Sequence, residues 1–175
     1  MKINLDKIYK IIRLAVLLAF SALLLFLIAQ KVVLTESLIY GTDFDSVSAF
    51  IEGPYPEGRV ESTYLDGKLF QKIIHEPVYF NVYSPRKFSK VYVTLKYLTA
   101  KDLHARFGLR KAGIYDFDFR DLPATDNLLN TIHFEFDPAN AEFAKNKLQF
   151  IISAPGIGEQ QEKIFIQSVE FEFLK

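Results

Sequence analysis

The chain has 175 residues, half of them hydrophobic, with 17 Phe, 9 Tyr, no Trp and no Cys. Its 21 basic and 21 acidic side chains cancel to a formal net charge of zero, so no global field draws it to nucleic acid. Lacking cysteine, it has no zinc ribbon, thiol nucleophile or disulfide framework, and its length suits one domain with an appendage.

Residues 1–13 carry Lys2, Lys7, Lys10 and Arg13 against Asp6 alone. Then comes LAVLLAFSALLLFLIA, Leu14 to Ala29, in which Ser21 is the only polar residue. About twenty helical residues cross a hydrocarbon core about 30 Å thick. Residues 11–30 are therefore expected to be one transmembrane helix, a signal-anchor, behind a short basic cytoplasmic segment at 1–10. Cations gathered ahead of the span favour a cytoplasmic N-terminus and an extracytoplasmic C-terminal domain, hence a single-pass protein of the cell membrane. A cleaved leader is the alternative. Against it, the run exceeds the usual apolar region of about 7–15 residues, and Leu27 stands where cleavage wants a small side chain.

Residues 31–58 read as a stalk and first strand, with a strand expected at Val32–Tyr40, leading to a β-sandwich at 59–175. From here on the apolar period is two, the signature of half-buried strands. VESTYLDGKLFQKII holds Asp66-Gly67 between two such runs, which predicts a two-residue type I′ hairpin. PVYFNVY sets Val78, Phe80 and Val82 on one face and Tyr79, Asn81 and Tyr83 on the other. KVYVTLKYL groups Val91, Val93, Leu95 and Tyr97. LHARFGL is a further strand, and IYDFDFR is expected to turn Tyr115, Phe117 and Phe119 inward. TIHFEFD adds Ile132, Phe134 and Phe136, and PANAEFAKN at 138–146 is expected to be a short helix. KLQFIIS and IFIQSVEFEFL complete about nine strands, the last with Val169, Phe171 and Phe173 on one face. Many short strands, each with one apolar face, must pair two sheets to bury those faces. The fold class is all-β: an antiparallel β-sandwich, with a jelly roll as its topology.

The ending, NKLQFIISAPGIGEQQEKIFIQSVEFEFLK, resembles the last two core strands of galactose-binding-domain-like jelly rolls, the architecture of many carbohydrate-binding modules. Leu148, Phe150, Ile152, Ile166, Val169 and Phe171 hold the matching apolar positions, and 91–97 suits an early core strand. The resemblance lies in strand pattern alone, over roughly 110 residues, and implies a fold; it brings no catalytic motif.

Candidate chemistry is sparse. His75 and Glu76 precede Pro77, which holds Glu76 extended, so the two side chains face opposite ways and read as the lead-in to a strand. His133, Glu135 and Asp137 project from one strand face and either ligate a divalent metal or are ordinary solvent-facing polarity; separately, Asp116, Asp118 and Asp121 offer oxygen ligands for a structural calcium. Asp116 and Asp118 pair equally well with Arg106, Arg110 or Arg120. Asp43 and Asp45 mark an acidic turn, and Arg86, Lys87 and Lys90 a basic one. For stacking against sugar rings the sequence offers Tyr79, Tyr83 and Tyr92, expected on adjacent strands, and Tyr55 in a Gly/Pro loop; packing in the second sheet is the other account of the strand tyrosines. The reading is a membrane-anchored, non-catalytic module for binding or assembly, needing no cofactor, whose partner is an envelope glycan or a surface protein. A cell-surface metal-assisted or glycosidic hydrolase at His133 and Glu135, or a purely structural subunit, is the competing expectation.

Overall fold

The alternating runs do become strands, and they pair far from their neighbours in sequence. A computed structural model describes residues 5–31, 36–100, 103–126, 128–159 and 163–175. The chain divides into two units, Met1–Thr35 and Glu36–Lys175. The first holds one α-helix, α1 (Leu5–Lys31), longer than expected because the basic segment ahead of the apolar run is helical too. Its described apolar side chains, Leu14, Val16, Leu17, Leu18, Phe20 and Leu23 among them, are exposed on every side of the helix. Among the described residues, no helix is long and apolar enough to cross a membrane.

Among its described residues the second unit contains twelve strands: β1 (Ser37–Thr42), β2 (Ile51–Tyr55), β3 (Val60–Leu65), β4 (Lys68–Ile73), β5 (Val78–Tyr83), β6 (Lys90–Thr99), β7 (Ala105–Arg110), β8 (Phe117–Leu122), β9 (Asn130–Phe136), β10 (Phe143–Ala144), β11 (Lys147–Ser153) and β12 (Ile164–Leu174). One sheet runs β3-β4-β12-β6-β9 with β1 also on β12; the other runs β2-β5-β11-β7-β8 with β10 also on β11. Every pairing is antiparallel. The result is a two-sheet sandwich of jelly-roll type.

Its core is aromatic. Phe107 and Phe150 from one sheet meet Phe134, Phe136 and Phe171 from the other; Phe107 and Phe134 stack at 5.6 Å, and Phe150 lies 4.8 Å from Phe171. A bulge between Ile166 and Ser168 inserts one residue into β12. That extra residue resets the alternation, so Ile166 and Val169, an odd number apart, both turn inward. Asp66 and Gly67 join β3 to β4 with φ of 49° and 74°, as a type I′ turn requires.

Four expectations are corrected. Residues 36–58 are not a stalk: β1 and β2 are edge strands of the two sheets, and residues 32–35 of the expected strand lie outside the described residues. The helix expected at 138–146 is one 3-10 turn, Pro138–Asn140, in which Ala139 N donates to Asp137 Oδ1 at 2.8 Å. β10 follows, and Lys145 and Asn146, both left-handed, turn it back into β11. Third, β8 is inverted. Its register sets Arg120 opposite core-facing Phe107 and Phe119 opposite Gly108, so Phe117 and Phe119 face outward while Asp118 and Arg120 turn to the sandwich. This is tolerable because β8 is an edge strand: Arg120 pairs with Asp118 at 2.6 Å, caps the Phe136 ring at 5.3 Å and stays partly hydrated. Tyr115 lies in the preceding turn and is 84% exposed. Fourth, β5 and β6 belong to different sheets, so Tyr92 is not beside Tyr79 and Tyr83.

Candidate functional site

Antiparallel register places opposed residues side by side on one face of a sheet. On the outward face of the β2-β5-β11-β7-β8 sheet this builds two rows across five strands. One row is Tyr55, Tyr79, Ile151, Gly108 and Phe119. The next is Glu52, Asn81, Gln149, Arg110 and Phe117. With strands about 4.8 Å apart, each row extends about 19 Å, enough for an elongated ligand.

Two glycines make the geometry. Between Glu52 and Tyr55 the register shifts at Gly53, whose φ of 124° suits only glycine and whose Cβ would sit 2.6 Å from Tyr79 O. That bulge lets Tyr55 join Glu52 on the outward face despite their odd spacing. At Gly108 a Cβ would meet Phe119 Cδ1 at 2.7 Å and Ile151 Cγ2 at 3.2 Å. The missing side chain is thus the slot into which the Phe119 ring lies. Arg106 covers that ring, its guanidinium 4.5 Å from the centroid.

The polar row is wired together. Tyr55 donates its hydroxyl proton to Asn81 Oδ1 at 2.8 Å, and Gln149 Nε2 donates to Tyr55 Oη at 2.7 Å. Asn81 Nδ2 donates to Glu52 Oε2 at 3.2 Å, and Glu52 also takes Lys147. Arg110 Nη1 donates to Gln149 Oε1 at 2.9 Å. Its Nε lies 2.6 Å from Glu142 Oε2, yet this buried N–H makes no hydrogen bond, because proximity alone does not aim it at the oxygen. Lys147, and then Asn81, hold the Glu52 carboxyl below the usual range. Burial pushes the Tyr55 hydroxyl up, against the lowering effect of Gln149 and Asn81. Both groups therefore keep their ordinary neutral-pH states, a carboxylate and a protonated phenol. Above this row lies a hollow of about 340 Å³, walled by Glu142, Ala144 and Lys145 at the β10 turn. A larger hollow of about 560 Å³ lies over the other sheet at Gly41, Asp43, Thr94, Lys96 and Glu170, and it contains no ring.

Of the tyrosines expected to form a binding face, Tyr55 and Tyr79 are together, 5.6 Å between centroids. Tyr83 lies farther along β5 and packs toward Phe50 at 6.2 Å. Tyr92 lies on β6, in the opposite sheet. The two candidate metal groups lie in different sheets. His133 and Glu135 are on β9, where Nδ1 of His133 is 3.0 Å from Thr94 Oγ1 and Glu135 is paired with Lys90 at 2.6 Å. That hydrogen bond lowers the Glu135 pKa and raises that of Lys90. Asp118 is held by Arg120 in the other sheet, and Asp116 is exposed in a turn. Among the described residues no three His, Cys, Asp or Glu side chains gather as a metal site. Glu76 is a structural tether, accepting from Ser153 Oγ at 2.8 Å and Ala154 N at 2.6 Å. Sequence reasoning missed Glu52, Gln149, Ile151, Gly108 and Phe117 as site residues, since what unites them is the order of non-consecutive strands.

No protein-family model matches this chain, and no curated protein matches its sequence. Among solved structures it is similar to the CBM22-1 xylan-binding domain from Paenibacillus barcinonensis Xyn10C. The TM-score is 0.53 at 10% identity, covering 78% of this chain and 94% of that one. It is also similar to the xylan-binding module CBM15, with a TM-score of 0.52 at 12% identity, covering 78% and 97%. These likenesses show the fold alone, a two-sheet antiparallel jelly roll.

Proposed function

We propose that this protein is a non-catalytic glycan-binding module displayed outside a membrane by its N-terminal helix. The observation that carries the reading is the outward face of the second sheet. There, a row with Tyr55 and Tyr79 at one end and Phe119 at the other lies beside a hydrogen-bonding strip of Glu52, Asn81, Gln149 and Arg110 that ends at Phe117. A sugar needs both halves of that arrangement: apolar ring faces to stack its C–H groups and paired donors and acceptors for its hydroxyls. The xylan-binding neighbours support this choice of ligand class through fold alone. Titration of the full chain in nanodiscs with xylo-oligosaccharides and mixed-linkage β-glucan oligomers is expected to give saturable binding, with shifts confined to resonances of β2, β5, β7, β8 and β11. Saturable binding at the β6–β9 face would overturn the assignment.

Anchoring is supported by the run Leu14–Ala29, in which Ser21 is the only polar residue, and by apolar side chains on every side of that part of the helix, which water does not favour. Orientation is supported by the cations ahead of it. The chain has no cysteine, so a single Val47→Cys at a fully exposed loop position is a clean reporter. An impermeant maleimide added to intact cells is expected to label it; labelling only after permeabilisation would reverse the orientation.

A further inference from the structure

Resting on the glycan reading, we propose that the site selects an acidic glycan, a sugar chain bearing uronic-acid carboxylates, and that Arg106 is the residue that receives the carboxylate. β7 reads A-R-F-G-L-R, and its alternation sends Arg106, Gly108 and Arg110 to the ligand face together. Two guanidinium groups therefore flank the glycine slot, four residues and about 13 Å apart along the strand.

Their circumstances differ. Arg110 is committed to Gln149 through Nη1 and to Glu142, whose Oε2 lies 2.6 Å from Nε. Arg106 is exposed and makes no ion pair among the described residues, although Asp121 stands directly opposite it on β8. Instead its guanidinium lies over Phe119, itself seated in the Gly108 slot. A guanidinium laid on a ring keeps its in-plane N–H groups directed outward, which is the geometry that grips a carboxylate with two parallel hydrogen bonds. The ring fixes its orientation before any ligand arrives, which lowers the entropic cost of using it.

Most other charges on this face are already paired. Glu52 is neutralised by Lys147 and Glu142 by Arg110. Glu76 accepts from Ser153 Oγ and Ala154 N beside Arg106's register partner Ser153, and Asp121 stands opposite Arg106 on β8. Arg106 and Lys145 therefore face two carboxylates, and what sets Arg106 apart is its orientation over the Phe119 ring rather than net charge. Arg106 also borders a hollow of about 500 Å³ with His104, Asp121 and Pro155, so the approach is open. A neutral chain would use the aromatic and amide groups and leave this guanidinium idle.

The experiment is calorimetric titration of the full chain in nanodiscs of zwitterionic lipid. The probes are oligomers of galacturonate, alginate and glucuronoxylan, each beside its carboxyl-reduced, neutral counterpart. At least one acidic oligomer is expected to bind tenfold or more tightly than its reduced form, with the gap shrinking as salt rises. Arg106→Gln is expected to erase that gap with the melting temperature unchanged, while the reduced form's affinity falls by no more than the loss of the guanidinium cover over Phe119 produces, about twofold. Arg106→Lys is expected to restore it only in part, because an ammonium lacks the planar fork. Equal binding of acidic and reduced forms, or a preference that survives Arg106→Gln, overturns this inference and leaves the glycan reading standing. Failure of every oligomer in both forms overturns the glycan reading itself.

Discussion

Phe150→Ala is expected to destabilise the sandwich by about 3–5 kcal/mol, the usual cost of emptying a fully buried phenylalanine site. Phe150 has no exposed surface and touches Phe107 in its own sheet and Phe136 and Phe171 in the other, at 5.7, 5.8 and 4.8 Å. Removing it opens a void whose walls are rings held by two hydrogen-bonded sheets, so the surroundings cannot collapse into it. Domains of this kind are stable by only about 5–15 kcal/mol. Thermal unfolding followed by circular dichroism should show a melting point lower by roughly 10–20 °C. Phe119→Ala is the informative partner. Its ring lies half-exposed on the outward face, so its loss should cost only about 1 kcal/mol. Were β8 oriented with its phenylalanines inward, as alternation alone suggests, both substitutions would be equally damaging. Comparable losses would therefore refute the observed facing of β8.

That contrast marks where the sequence is legible. In β5, in β6 as far as Tyr97 and in β12 beyond its bulge, one parity is uniformly apolar and buried: Val78, Phe80 and Val82; Val91, Val93, Leu95 and Tyr97; Val169, Phe171 and Phe173. In β8 both parities carry something able to face inward, Phe117 and Phe119 in one, Leu122 in the other. The decision falls to β7, where Gly108 opens a slot for Phe119 on the outer face and Ala105 meets Leu122 inside. A cross-strand neighbour thus overrides the local pattern, and no window on 117–122 contains it. The stalk error has the same origin. β2 is broken by Gly53-Pro54, so its alternation is hidden, yet it completes the sheet edge and brings Tyr55 to the site. Tyr79, Tyr83 and Asn81 share a face by alternation alone. Their companionship with Gln149, Arg110 and Phe119 depends on β11 and β7 lying beyond β5, information carried by strand order rather than by any single strand.

If the two-row face binds sugar, Tyr79→Ala and Gln149→Ala should each weaken xylo-oligosaccharide affinity tenfold or more, about 1.4 kcal/mol or beyond. Tyr79 supplies the ring nearest the middle of the apolar row, supported by Tyr55 at 5.6 Å. Its loss removes stacking area without disturbing the core, since its side chain points away from Phe80 and Val78. Gln149 acts differently. It donates to Tyr55 Oη, accepts from Arg110 Nη1 and lies 3.3 Å from Asn81 Oδ1, so truncation releases three side chains from their set positions and leaves half-buried polar groups without partners. Double-mutant cycles should then show Gln149 strongly coupled to Tyr55 and nearly additive with Phe119, which it does not touch. Tyr92→Ala on the opposite sheet should leave affinity unchanged, and Tyr83→Ala, whose ring is turned toward Phe50, should lower it by less than threefold. Loss of affinity on Tyr92→Ala with retention on Tyr79→Ala would move the binding face to the sheet of β6, β9 and β12. Any glycan recognition would then have to be rebuilt around the ring-free hollow at Thr94, Lys96 and Glu170.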